Sequence, residues 1–108
     1  MSAPSRPLLV FTTLPDRASA EGLAMTLVEQ GLAACASVQA PCLSIYRWQG
    51  AIEQASEVPL LIKSSSERYA ALQAAILAAH PYQVPEIIAL PISHALPAYL
   101  AWLATETS

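Results

Sequence analysis

Hydrophobic and polar positions alternate along this chain in two different rhythms, and the switches between them mark out the elements. Residues 7–13 (PLLVFTT) are short, apolar and rich in strand formers, and predict a buried strand. Leu14, Pro15 and Asp16 make a turn, with Asp16 placed as an N-cap. Ala20, Leu23, Ala24, Leu27 and Val28 then fall on one face of a helix over 17–30, and Gly31 sits where a helix C′ glycine belongs. Residues 34–38 predict a second strand that Pro41 bends, and it continues over 43–48. There Leu43, Ile45 and Arg47 share one face, and Ser44, Tyr46 and Trp48 the other. Gln49 and Gly50 signal a turn, and 51–53 a short strand start. A third strand is expected over 57–64, where Pro59 predicts an edge position or a bulge. Ser64 and Glu67 have capping-box spacing ahead of a helix over 67–79, lined by Tyr69, Leu72, Ile76 and Ala79. Residues 86–91 predict a fourth strand. Residues 97–105 predict a last helix, with Pro97 at its N1 and Leu100 and Leu103 on one face.

The order is β-α-β-β-α-β plus a terminal helix. It predicts an α+β fold of the ferredoxin-like, split β-α-β kind, an antiparallel sheet with helices on one face. The stretch 34–64 is longer than two ordinary strands need, so a hairpin is expected to project toward another subunit. Composition sharpens this picture. The 108 residues form one expected domain, with 1–6 as a loose N-terminal segment, and they are 55% hydrophobic and only 12% charged. The usual charged share is about 25%. So small a domain cannot hide that much apolar surface by itself, and a homo-oligomer is expected. No apolar run reaches the ~20 residues that a spanning helix needs. The N-terminus lacks the pattern of a secretory signal, so the expected location is the cytoplasm and the expected state of Cys35 and Cys42 is the free thiol. A net charge of −3, with Arg6, Arg17, Arg47, Lys63 and Arg68 scattered, argues against nucleic acid as a partner.

The polar residues cluster in one segment above all. His80-Pro81-Tyr82-Gln83-Val84-Pro85-Glu86 places an imidazole, a phenol, an amide and a carboxylate in a stiff connection after a greasy helix. This segment also carries a family resemblance. With it go Thr13-Leu14-Pro15-Asp16, Gly31-Leu32-Ala33-Ala34-Cys35-Ala36 and the run from Tyr46 to Glu53. Glu57 through Lys63 and Tyr99-Leu100-Ala101-Trp102-Leu103 complete the set. In these motifs, and over nearly its whole length, the chain resembles the CutA family of divalent-cation tolerance proteins. The resemblance implies a tight trimer, related in shape to the PII signalling proteins, in which the long hairpins pair between subunits. It also implies a role in the response to metal ions, with copper bound in some members. The copper site attributed to that family uses a first-strand Cys and two adjacent His; here those positions are Thr12, Ala79 and His80. Only His80 remains as a candidate ligand for copper or another divalent metal, on an exposed helix end. Cys35 matches a family cysteine and reads as a packing thiol. His94 reads as a surface residue or local cap.

Tyr46, Trp48, Glu53, Glu57, Lys63, Tyr82, Glu86 and Trp102 are the groups expected near subunit junctions, the aromatics suiting interfaces. Lys63 has two open readings. It pairs with a glutamate across the trimer, or it holds a small anionic ligand in an inter-subunit cleft with aromatic walls. No G-x-S-x-G, P-loop or H-E-x-x-H is present, and nothing supplies a nucleophile with an oxyanion donor set, so an enzyme is not expected. Three functions stay in play: a trimer for metal tolerance that binds divalent metal weakly, a PII-like binder of a small metabolite, and a trimeric scaffold for a protein partner.

Overall fold

The computed structural model describes residues 5–108. The elements run β1 (Pro7–Leu14), α1 (Arg17–Glu29), β2 (Cys35–Val38), β3 (Cys42–Trp48), β4 (Ala51–Ser65), α2 (Tyr69–Ala79), β5 (Ile87–Pro91) and α3 (Pro97–Glu106). The sheet order is β2-β4-β1-β5, every pair antiparallel, with β3 paired to β4 beyond the end of β2. This is the split β-α-β topology that the element order predicts. The expectation of a loose segment over 1–6 falls mostly outside the described residues. Arg6 itself exchanges bonds with Ser66, donating its N–H to Oγ and accepting from the Ser66 N–H.

The core lies between one sheet face and the helices. Val10 and Leu14 of β1, and Val58, Leu60 and Ile62 of β4, point the same way because strand side chains alternate. They meet Ala20, Leu23, Ala24 and Leu27 of α1, and Leu72 and Ile76 of α2. Burying each large aliphatic side chain contributes roughly 1.5–3 kcal/mol over leaving it in water. Val28, expected on the buried face of α1, is exposed instead, while its neighbour Leu27 is fully buried in the last turn. Gly31 has φ +69°, the left-handed conformation that ends helices at low steric cost for glycine. Asp16 caps α1 by accepting the Ser19 N–H at 2.8 Å.

Three local expectations fail, each for a tertiary reason. β4 is one continuous strand of 15 residues rather than a short start at 51–53 and a separate strand over 57–64. Pro59 is at neither an edge nor a bulge. Its register with Thr13 is unbroken, and it lies in a central strand. The Pro59 carbonyl accepts the Gln39 N–H at 2.9 Å, so its nitrogen faces the same flank, in the gap where β2 has ended and β3 has not begun. The proline can return no bond to the Gln39 carbonyl, but that pair lies just past the end of β2, so no bond inside a strand is lost. Finally, the capping box of Ser64 and Glu67 does not form: α2 starts at Tyr69 behind Arg68, with no side-chain cap. The sheet takes Ser64 instead, pairing it with Leu8, and its hydroxyl donates to the Leu32 carbonyl at 2.6 Å.

β3 and β4 form the long hairpin. Their two-residue turn has Gln49 at φ 49° and Gly50 at φ 83°, the signature of a type I′ turn. A strand of 15 residues at about 3.3 Å each spans the molecule's 47 Å long axis, so the hairpin projects well past the helical layer.

Candidate functional site

The hairpin base meets the connection after α2, and there four polar side chains converge. Glu57 is buried, and its Oε2 accepts the Thr13 hydroxyl at 3.1 Å and the Tyr82 hydroxyl at 2.9 Å. His80, the C-cap of α2, is also buried, against the sequence expectation of an exposed helix end. Its Nδ1 accepts the Tyr82 N–H at 3.2 Å, so Nε2 carries the proton and donates to the Thr13 carbonyl at 2.6 Å. Both ring nitrogens are therefore engaged. The His80 and Tyr82 rings sit 4.7 Å apart, tilted by 50°. Pro81 makes this arrangement possible by stopping α2 and turning the chain back over the end of β1.

Outward from this cluster lies a cleft of about 330 Å³, lined by Tyr46, Trp48, Glu53, Ala55, Tyr82, Gln83 and Val84. Tyr46 stands opposite Glu53 in the hairpin register, and Trp48 opposite Ala51. Side-chain alternation puts Tyr46, Trp48, Glu53 and Ala55 on one face of the hairpin and Arg47 on the other. Burial pushes the Tyr82 phenol up to about 12, and its bond to Glu57 adds to the effect. Burial likewise raises the Tyr46 phenol, helped by the Glu53 carboxylate. The carboxylates that bear on these two phenols are Glu53, Glu57 and Asp16.

Of the residues singled out in the sequence, Tyr46, Trp48, Glu53 and Tyr82 line one cleft, and Glu57 braces it from behind through Tyr82. Lys63 does not join them within one protomer. It lies six residues along β4 from Glu57, roughly 20 Å away, paired with Leu9 and Cys35. Trp102 stacks near Tyr99 on α3, with centroids 5.5 Å apart, and Glu86 is exposed just ahead of β5. Thr13, Gln83 and Val84 escaped the sequence reading as site residues. The 80–86 segment pointed at the last two, but nothing local could show that Thr13 faces Glu57 from 44 residues away. Cys35 lies half-buried with Sγ 3.6 Å from the Tyr99 hydroxyl, a contact that raises the Tyr99 phenol above its usual range. His94 is exposed beside the Ser93 hydroxyl.

A resident metal does not fit the donors of one chain. Thr12 is fully buried on the helix-facing side of β1, and its hydroxyl has no hydrogen-bond partner. The lone pair of His80 is spent on Tyr82, and among the described residues no three His, Cys, Asp or Glu side chains are grouped as a metal would need.

The antiparallel split β-α-β sheet, its overlong hairpin and the polar cluster at the hairpin base define an α+β protein of the ferredoxin-like class. Within that class the comparison is specific. The model of the CutA1 divalent ion tolerance protein family matches residues 8–106, and the chain belongs to this family. It is 41% identical over 99 residues to the divalent-cation tolerance protein CutA of Thermus thermophilus, covering 92% of this chain and 96% of that one. The Yersinia pestis protein of the same name is also 41% identical, with 92% and 83% covered. The crystal structure of CutA from Xylella fastidiosa superimposes with a TM-score of 0.92 at 43% identity, over 95% of this chain and 99% of that one. No helix among the described residues is long and apolar enough to cross a membrane.

Proposed function

We propose that this chain serves divalent-cation tolerance as a homotrimer in the cytoplasm, with metal bound only weakly. The family match over 8–106 carries the tolerance role. The assembly is supported by the apolar side chains that one protomer leaves in water. Leu43, Ile45 and Ile52 on the hairpin are more than 60% exposed, and Ile88 and Leu90 lie on the sheet face opposite the helices. Two free thiols accord with the cytoplasm, although a relative from Archaeoglobus fulgidus is named as periplasmic. Sedimentation at micromolar concentration tests the assembly: a trimer is expected, and a monomer sinks this part of the reading. Complementing a strain without its own CutA, on plates with graded copper and zinc, tests the role.

The metal part has its own test. Calorimetric titration of Cu(II) and Zn(II) into His80→Ala and the parent should give the same shallow isotherm, since the His80 nitrogens are already committed. Saturable binding that the substitution abolishes would contradict this. A second reading, small-molecule binding as in PII-like proteins, is favoured by one observation: the aromatic cleft with Glu53 on its wall.

A further inference from the structure

The second reading leaves the chemistry of the ligand open, and the cleft itself narrows it. Its walls are Tyr46, Trp48 and Tyr82, whose ring faces are electron-rich. Glu53 stands in the lining, and Glu57 lies behind Tyr82 with both of its side-chain bonds on Oε2, leaving Oε1 for another donor. No lysine or arginine lines the cleft. Arg47 is on the opposite face of β3, Arg17 pairs with Glu21 at 2.8 Å, Arg68 donates to the Thr107 carbonyl at 2.9 Å, and Lys63 is at the far end of β4. Within one protomer, an anion would meet the Glu53 carboxylate and aromatic walls, with the Glu57 carboxylate behind Tyr82. A bare metal ion would find too few grouped donors, as shown above. A cavity of about 330 Å³ is at the small end of ligand sites and suits a molecule of modest size.

We propose that the cleft between the β3–β4 hairpin and the α2–β5 connection binds a small organic ammonium cation, held by the faces of Tyr46, Trp48 and Tyr82 and by the charge of Glu53 and Glu57. The proposal rests on the small-ligand reading. The attraction is the cation–π contact, strengthened where walls exclude water, with a carboxylate to neutralise the charge. The raised phenol of Tyr82 keeps its hydroxyl protonated, so it stays bonded to Glu57 and its ring stays in place.

The test is calorimetric titration of the full chain with three probes of one shape. These are choline, its uncharged carbon isostere neohexyl alcohol, and the anion tert-butylacetate. Choline is expected to bind at least about tenfold more tightly than the alcohol. Glu53→Gln, on an exposed hairpin position, should erase most of that preference. Trp48→Ala should weaken choline, and Trp48→Phe should restore it. Equal binding of choline and the alcohol overturns the cation assignment and leaves the small-ligand reading standing. Preferred binding of the anion also overturns it, and points to a cation supplied by another copy, such as Lys63. If none of the three binds, the cation assignment fails.

Discussion

Tyr82→Phe removes one oxygen from the polar cluster and leaves the ring where it is. At neutral pH the loss is one hydrogen bond of 2.9 Å to a carboxylate, while Glu57 keeps Thr13. Bonds to charged groups contribute roughly 1.5–3 kcal/mol, and Tyr82 keeps some solvent contact, so a destabilisation near the lower end, about 1.5 kcal/mol, is expected. The pH profile makes the claim sharper. The folded protein holds the phenol proton up to about 12, against an ordinary value of 10.0. Between these values the unfolded chain has released the proton and the folded chain has not. Stability is therefore fully present below pH ~10 and is lost as pH rises toward ~12. Two pKa units have a ceiling of about 2.7 kcal/mol. Water at the cleft mouth screens the interaction, so about 1 kcal/mol is expected. Urea unfolding of parent and variant at fixed protomer concentration, in steps from pH 8 upward, reads this directly. Tyr46 and Tyr99 also have raised phenols, but both chains carry them, and the difference isolates Tyr82. The gap between parent and variant should narrow above pH ~10. Parallel profiles through pH ~11.5 would refute the placement of the Tyr82 hydroxyl on Glu57.

Leu60 is fully buried between β1 and β2, so Leu60→Ala should cost about 2–5 kcal/mol in the same unfolding assay; a loss under ~1 kcal/mol would mean that the sheet does not pack as described. Gly31→Ala places a Cβ only 3.8 Å from the Glu106 carbonyl, an ordinary contact, so the expected loss of about 1–2 kcal/mol comes from the backbone at φ +69°; an unchanged melting temperature would deny that conformation. The Ser19 N–H holds the Asp16 carboxyl below its usual range, so its capping contribution is present above the ordinary carboxylate value and fades as pH falls through the lowered one. Asp16→Ala should speed amide exchange at Ser19 and flatten that acid limb, Asp16→Asn should preserve much of the cap, and equal exchange in all three would rule the cap out.

What could be seen in the sequence is what local chemistry decides. Asp16 as a cap, Gly31 as a terminator, Gln49 and Gly50 as a turn and Pro97 at the start of α3 each depend on residues within four positions, and the structure has all of them. The misses depend on partners far along the chain. The Ser64 hydroxyl bonds to Leu32, and Ser64 itself pairs with β1, so the capping box loses to the sheet. His80 is buried by a bond to Thr13, 67 residues earlier, and no pattern around the His80-Pro81 junction could show that contact. Pro59 is tolerated because of where β2 stops, which is a property of its neighbour and not of its own strand.

The unbroken course of β4 also ties the cleft to the core. Val58, Leu60, Ile62 and Ser64 are buried on the helix side, and a one-residue slip would turn all four toward the opposite face. The cost of that slip fixes the register of the whole strand, including the part that pairs only with β3. Glu53, Ala55 and Glu57 therefore inherit their facing from side chains that are buried several residues away, and Tyr46 and Trp48 inherit theirs through the type I′ turn. In this way the core holds a projecting hairpin to one facing although most of the hairpin's side chains are exposed. By the same logic, an insertion of one residue between Glu57 and Val58 would undo the cleft while leaving each of its side chains in the sequence. Two inserted residues would restore the facing of Glu53 and Tyr46, but would move them along the strand by about 7 Å, away from Tyr82.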